Sequence, residues 1–207
     1  DLYLYDTWNN PGAIENVFMT SPFQDVLFKD NYIPVKASAK RKYTHTFRVK
    51  APLLKKGEGL CLVGNVKALG AWDGAKCLPM SNENSPWWSI KVDLSKTKEE
   101  GVSYKYAIYD LEDKTFRYFE NGPDRYAPVT GDGKALTIVT DCFANFYNQS
   151  FHGAGVGIPV FSIRTKDSFG VGDFGDIKLL VDWAAKVGLK LIQLLPLNDS
   201  NGTHTMA

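Results

Sequence analysis

The stretch "SYKYAIY", residues 103–109, alternates strictly. Tyr104, Tyr106 and Ile108 fall on one side of an extended chain, and Lys105, Ala107 and Tyr109 on the other. "WWSIKV", residues 87–92, repeats the pattern, with Trp88, Ile90 and Val92 opposed to Trp87, Ser89 and Lys91. Each run reads as a strand with one buried face and one wetter face. Outward from these two lie "THTFRVKA" (44–51), "GLCLVG" (59–64), "TFRYFE" (115–120) and "KALTIVT" (134–140), divided by turn residues at fairly even spacing. From about residue 30 to 143 the pattern predicts an antiparallel β-sandwich of the immunoglobulin-like kind.

The texture differs on either side. Residues 1–29 open on a short alternating strand, "DLYLYDTW", then a loop around Asn9–Gly12 and an apolar patch, "FQDVLF". Beyond 143, "GVGIPVFSI" (155–163) reads as a strand. Ile177, Leu180, Val181, Ala184 and Val187 then recur at helical spacing, and Gly188 stands where a helix would end. "LKLIQLL" (189–195) is almost continuously apolar, as strands buried on both faces of a parallel sheet are, and Pro196 stops it. Strand, helix, strand makes one βαβ unit, which cannot bury its own sheet faces. Since Asp1 is no natural start and "NGTHTMA" no structural terminator, the chain is expected to be a fragment, cut within a larger α/β domain.

Composition narrows the function classes. Lys and Arg number 24 against 23 Asp and Glu, so no long-range field favours nucleic acid or an anionic membrane. No apolar run approaches a membrane span, and no signal peptide is visible. Cys61, Cys77 and Cys142 are an odd number at no metal-ligand spacing; they read as reduced thiols, which suits a cytoplasmic protein without a metal or cofactor. Aromatic residues are abundant, with 5 Trp, 10 Tyr and 12 Phe.

One aromatic stands out. In "VGNVKALGAW", residues 63–72, Gly64, Asn65 and Gly70 mark a loop, and Trp72 is carried in it beside Asp73 and Gly74. Such a ring either folds back over the edge of the core or is displayed as a platform. The C–H face of a pyranose suits an aromatic platform flanked by hydrogen-bonding groups. "FGVGDFG" (169–175) satisfies G-x-G-x-x-G, but "RTKDSF" separates it from its strand, and Asp173 and Asp176 sit where a pyrophosphate needs positive potential. Nucleotide binding is therefore rejected, and Asp176 reads as a helix-start residue.

"LVGNVKALGAWDGAKCLPM", "WWSIKVDL", "SYKYAIYD" and "FENGPDRY", in that order, resemble a starch-binding module of carbohydrate-binding family 20 over about residues 42–141. The resemblance implies an α-glucan site. Trp72 corresponds to the family's first platform tryptophan, Lys105 to its lysine, and Trp88 to its core tryptophan. Two positions depart. Phe119, with Tyr118 beside it, replaces the second tryptophan, and Asp124 replaces an asparagine, so the site is expected to be weaker than the family's best. Edge-of-core packing stays open for Phe119, and a solvated strand lysine for Lys105. The family's second, tyrosine-based site has no counterpart beyond a guess at Trp87.

"GVGIPVFSIRTKDSFGVGDFGDIKLLVDWAAKVGLKLIQLLPLND", residues 155–199, resembles the opening of the 4-α-glucanotransferases of glycoside hydrolase family 77, whose catalytic domain is a (β/α)₈ barrel. The resemblance implies transfer of α-1,4-glucan segments by a retaining mechanism, with neither cofactor nor metal. The family's catalytic carboxylates lie on later strands, so no catalytic residue is expected here. Asn198 and Asp199 follow the second strand, on the face where barrel active sites form, and are candidates for the sugar cleft or simple loop caps. Residues 1–29 resemble the last strand and exit linker of another starch-binding copy. The expected organisation is thus 1–29 remnant and linker, 30–143 starch-binding sandwich, and 144–207 truncated barrel. The expected partners are maltooligosaccharides, starch or glycogen. The alternative is a glucan-targeting module of a protein that is not a transferase.

Overall fold

The computed structural model describes residues 1–36, 42–84, 86–129, 135–147 and 149–196. Contacts divide the chain into two units, residues 1–150 and 151–207.

In the first unit the short apolar runs become β1 (Leu2–Asp6), β2 (His45–Lys50), β3 (Glu58–Gly64), β4 (Leu78–Pro79), β5 (Ser81–Asn84), β6 (Trp87–Val92), β7 (Gly101–Asp110), β8 (Thr115–Phe119), β9 (Arg125–Pro128) and β10 (Leu136–Phe143). One sheet runs β1-β10-β2-β6-β5, and the other runs β4-β3-β7-β8 with β9 also on β7. In β2 and β6 the alternation read in the sequence is the alternation of burial. Phe47, Val49, Trp88, Ile90 and Val139 of the first sheet meet Leu60, Leu62, Tyr104, Tyr106 and Ile108 of the second in one core. Across the layers the rings of Phe47 and Tyr104 make an edge contact at 4.9 Å. Burying each such side chain stabilises by about 2 kcal/mol, so the sheets stack to cover one another.

The sandwich is not wholly antiparallel, as had been expected. β10 runs parallel to β2, pairing Thr137 with His45 and Val139 with Phe47, and parallel to β1 on its other side. A parallel neighbour needs a long crossover. Here β3 to β9 are that crossover, so the entering and leaving strands lie side by side. The unit extends to residue 150 because Ala144 and Phe146 are buried in its core. Residues 14–31 form successive helical turns in which the rings of Phe18, Phe23 and Phe28 pack together.

A second departure bears on the site. The outer face of the second sheet, read as the wetter one, is itself covered. Cys61, Val63 and Ala107 are buried there under Cys77, Tyr109, Phe116 and Phe119.

The second unit is the expected strand–helix–strand: β11 (Gly155–Ile158), α1 (Ile177–Lys186) and β12 (Leu191–Leu194), with Gly155 opposite Leu191 and Ile158 opposite Leu194 in parallel register. The first strand is shorter than "GVGIPVFSI" suggested. Pro159, which has no N–H to give the ladder, opens a 3₁₀ turn at Val160–Ser162. Gly188 at φ +80° ends the helix, with its N–H and that of Leu189 closing on Ala185 and Ala184. Asp176 begins the helix without capping its amides. Its carboxylate accepts from Thr165 Oγ1 (2.6 Å), Ser168 Oγ (2.8 Å) and the Asp173 amide (2.9 Å), and these donors hold its pKa below the usual carboxylate range. The loop of the rejected nucleotide motif is thereby closed on itself. Gly172 crosses so near the Ile163 and Val160 carbonyls that a Cβ there would collide.

Candidate functional site

The site is assembled on the outer face of β3, β7 and β8. After β3 the chain makes a 3₁₀ turn at Lys67–Leu69, with Leu69 buried, and then holds three residues in the left-handed region: Gly70 at φ +85°, Ala71 at +51° and Trp72 at +60°. Left-handed backbone is costly for residues with a Cβ, by about 1–2 kcal/mol each. It persists here because the Ala71 amide donates to Val66 O (3.0 Å), that of Trp72 to Gly64 O (2.8 Å) and that of Asp73 to Gly70 O (3.0 Å). Asp73 then caps the next turn through the Ala75 amide (3.0 Å) and pairs with Lys76 at 2.7 Å. Lys76 is the main cause of the lowered Asp73 pKa. The loop turns the Trp72 ring outward, 36% exposed.

Phe119 lies beneath it. The two ring centroids are 6.1 Å apart at 78°, an edge-to-face pair. Strand register decides which aromatic of "FRYF" takes this place. Phe119 stands opposite Ala107 on the outer face, whereas Tyr118 stands opposite Ile108 and packs against the core and Phe146. Phe116 also reaches the outer face, because a bulge shifts the register between Ile108 and Tyr109, and its ring meets Phe119 at 4.8 Å. Phe119 is thus both edge packing and a partner of the displayed ring.

Lys105 joins them from β7. Its Nζ donates to Gly122 O (2.7 Å) and, more weakly, to Glu120 O (3.4 Å), and lies 3.8 Å from Asp124 Oδ1. It is 17% exposed against 55% for Asp124, so it is tethered rather than solvated. The loop that tethers it rests on polar groups that the sequence reading missed. Arg125 forks onto both Glu120 oxygens at 2.8 Å, donates to Phe143 O at 2.8 Å and reaches Asp141 at 3.0 Å. Asp141 also accepts from the Tyr104 and Tyr106 hydroxyls, each at 2.8 Å. Burial, chiefly, drives both tyrosine pKa values upward. Burial alone would lower that of Arg125, but the Glu120 carboxylate reverses this and holds it raised. The only trace in the sequence was an acid and an arginine flanking "NGPD".

The structure therefore brings Trp72, Lys105, Phe119 and Asp124 to one region of one sheet. Trp88 is buried in the core. Trp87 lies on the other sheet, its ring covered by Arg48 and Lys50 at 4.8 and 4.5 Å. Asn198 and Asp199 lie outside the described residues. Among the described residues, no group of three or more His, Cys, Asp or Glu is placed to hold a metal ion, and no helix is long and apolar enough to cross a membrane.

Against known proteins, residues 42–139 match the family model of the starch-binding domain, carbohydrate-binding family 20. The matched stretch runs from just before β2 into β10 of the sandwich. Residues 158–206 match the model of glycoside hydrolase family 77, 4-alpha-glucanotransferase. A 4-alpha-glucanotransferase, DPE2, of Oryza sativa subsp. japonica is 32% identical over 211 residues, which cover 95% of this chain and 21% of the relative. A 4-alpha-glucanotransferase of Chlamydia pneumoniae is 52% identical over 46 residues, 22% of this chain and 9% of the relative. The chain thus spans about a fifth of the length of the rice relative. Among solved structures, the family 20 module of a maltotetraose-forming amylase from Pseudomonas saccharophila STB07 is 21% identical, covering 46% of this chain and 97% of that one, with a TM-score of 0.38. The matched stretch, residues 42–139, contains all four candidate site residues.

Proposed function

We propose that this chain is the α-glucan-binding part of a 4-α-glucanotransferase, and that its starch-binding domain holds starch, glycogen or maltooligosaccharide at Trp72, Phe119, Lys105 and Asp124. The observation that carries the reading is the outward Trp72 ring standing edge-to-face with Phe119, on the sheet whose β7 carries the tethered Lys105. In this reading Trp72 covers the apolar face of one glucose unit and Phe119 backs it. Lys105 donates to a ring or hydroxyl oxygen, and Asp124 accepts from sugar hydroxyls. The parent enzyme transfers α-1,4-glucan segments by a retaining mechanism on carboxylates outside the described residues, and works in the cytoplasm, in keeping with three unpaired thiols. The second unit supplies the opening βαβ of the barrel. Shallow aromatic sites of this kind give dissociation constants on the order of micromolar to millimolar, about −4 to −8 kcal/mol. Calorimetric titration with β-cyclodextrin tests the proposal: saturable heat is expected, and no heat at millimolar ligand rejects it.

A further inference from the structure

The face that carries Phe119 also carries two thiols. Cys61 stands in the middle of β3, fully buried, and Cys77 follows the 3₁₀ turn Gly74–Lys76, partly exposed. Antiparallel pairing of Leu62 with Leu78 brings both cysteines to one side of the strand pair. They pack in the same small cluster. Between them, residues 62–76 form the loop that bears the left-handed run and Trp72. Cys77 also lines an open recess of about 410 Å³ with Gly74, Ala75, Tyr109, Lys114 and Phe116. A solute therefore has a path to Cys77, whereas Cys61 is fully buried and does not line the recess.

We propose that Cys61 and Cys77 are an oxidisable dithiol, a modification site that reacts with an anionic, low-molecular-weight disulfide such as oxidised glutathione and, once bridged, clamps the base of the Trp72 loop. The two thiols divide the chemistry. The neighbouring Cys61 thiol lowers the pKa of Cys77, favouring the thiolate that attacks. The neighbouring Cys77, together with burial, keeps Cys61 a protonated thiol until it is needed. In the first step the Cys77 thiolate attacks one sulfur of oxidised glutathione, forming a mixed disulfide and expelling one glutathione thiolate, which takes up a proton. In the second, Cys61 gives up its proton and attacks the Cys77 sulfur, forming the Cys61–Cys77 bond and expelling the second glutathione. Two protein thiols lose two electrons in all, and one glutathione disulfide becomes two thiols. Lys114 at the recess supplies positive charge for the tripeptide's carboxylates.

The test uses the 207-residue chain and no sugar, so it is independent of the glucan reading. After equilibration with oxidised glutathione, intact mass is expected to fall by two hydrogens, and peptide mapping to link Cys61 to Cys77 with Cys142 free. Cys61→Ser is expected to retain one glutathione on Cys77, since nothing resolves the mixed disulfide, and Cys77→Ser none on Cys61. The bridged wild type is expected to melt about 5 °C or more above the reduced form, because a closed loop has less entropy to gain on unfolding. A wild type that stays fully reduced, keeps a stable glutathione adduct or bridges through Cys142 overturns the assignment of the pair. An unchanged or lower melting temperature in the bridged form overturns the clamp.

Discussion

Two tryptophans of one domain do opposite work, and the difference lies in what surrounds each ring. Trp88 is 2% exposed in the core, and Trp72 is 36% exposed at the end of a left-handed loop. We expect Trp72→Ala to weaken β-cyclodextrin binding by about 2 kcal/mol or more, with the melting temperature little changed. Trp88→Ala should instead destabilise the sandwich by about 3–5 kcal/mol in urea unfolding, since it empties a packed site. If the two variants exchange these behaviours, the assignment of display and packing is inverted. His45 poses a different question. Its Nε2 lies 3.0 Å from Pro128 O, which can only accept, so that nitrogen carries the proton. Its Nδ1 must then accept from Thr44 Oγ1, which itself accepts from the Leu94 amide. Protonation at Nδ1 reverses this bond and leaves the Thr44 hydroxyl hydrogen without its acceptor, and burial, the larger cause, holds the folded pKa below 6.5. The unfolded state therefore binds more protons between the two pKa values. Stability from this residue should be complete above about pH 6.5 and decline as pH falls toward the folded value. Urea midpoints from pH 7.5 to 5 should fall for the wild type, and a His45→Gln variant should lose that slope; an equal slope in both removes His45 as its source.

At the scale of elements, geometry rather than composition prepares the outer face. Phe116 and Phe119 are three apart, and simple alternation would send them to opposite sides of the sheet. The bulge in the β7–β8 register puts both outside, where they cover Cys61 and Ala107 and support Trp72. The preceding loop depends on Gly70. A Cβ there would stand 2.8 Å from Lys76 O, at a φ that only glycine adopts without strain. Gly70→Ala is expected to cost about 1–3 kcal/mol of stability and to weaken cyclodextrin binding as well, because Trp72 hangs on the same left-handed run. Full binding by the folded variant would show that the ring does not need this backbone.

At the scale of the molecule, the two units differ in how completely they cover themselves. The sandwich closes its core between two sheets. In the second unit Leu191, Leu194 and Leu195 around β12, and Leu179, Val181 and Trp183 on α1, remain exposed. A (β/α)₈ barrel takes about 250 residues, and its catalytic groups come from several strand ends. Retaining glycoside chemistry needs two carboxylates facing the scissile bond. We propose that neither carboxylate of that pair lies on this βαβ unit, so the chain is expected to bind glucan without remodelling it. Incubated with maltotriose, it is expected to release neither glucose nor longer oligomers. Disproportionation by the pure chain would mean that the catalytic groups lie within it.

What the sequence determined by itself were patterns local along the chain. The alternation in "SYKYAIY" and "WWSIKV" separates core from surface, and the helical spacing from Ile177 with Gly188 delimits α1. The ordered motifs around Trp72, Lys105 and "FENGPDR" carry the resemblance to the starch-binding family model that matches residues 42–139. These were legible because burial repeats every two residues in a strand and every 3.6 in a helix. Tertiary structure alone decided that β10 runs parallel to β2, that Phe119 and not Tyr118 turns outward, and that Arg125 links Glu120 to Asp141 beneath the loop holding Lys105. Each of these depends on register or on pairing between residues far apart in sequence. A shift of one residue reverses which side chains face out, and no local pattern records where a distant strand will dock.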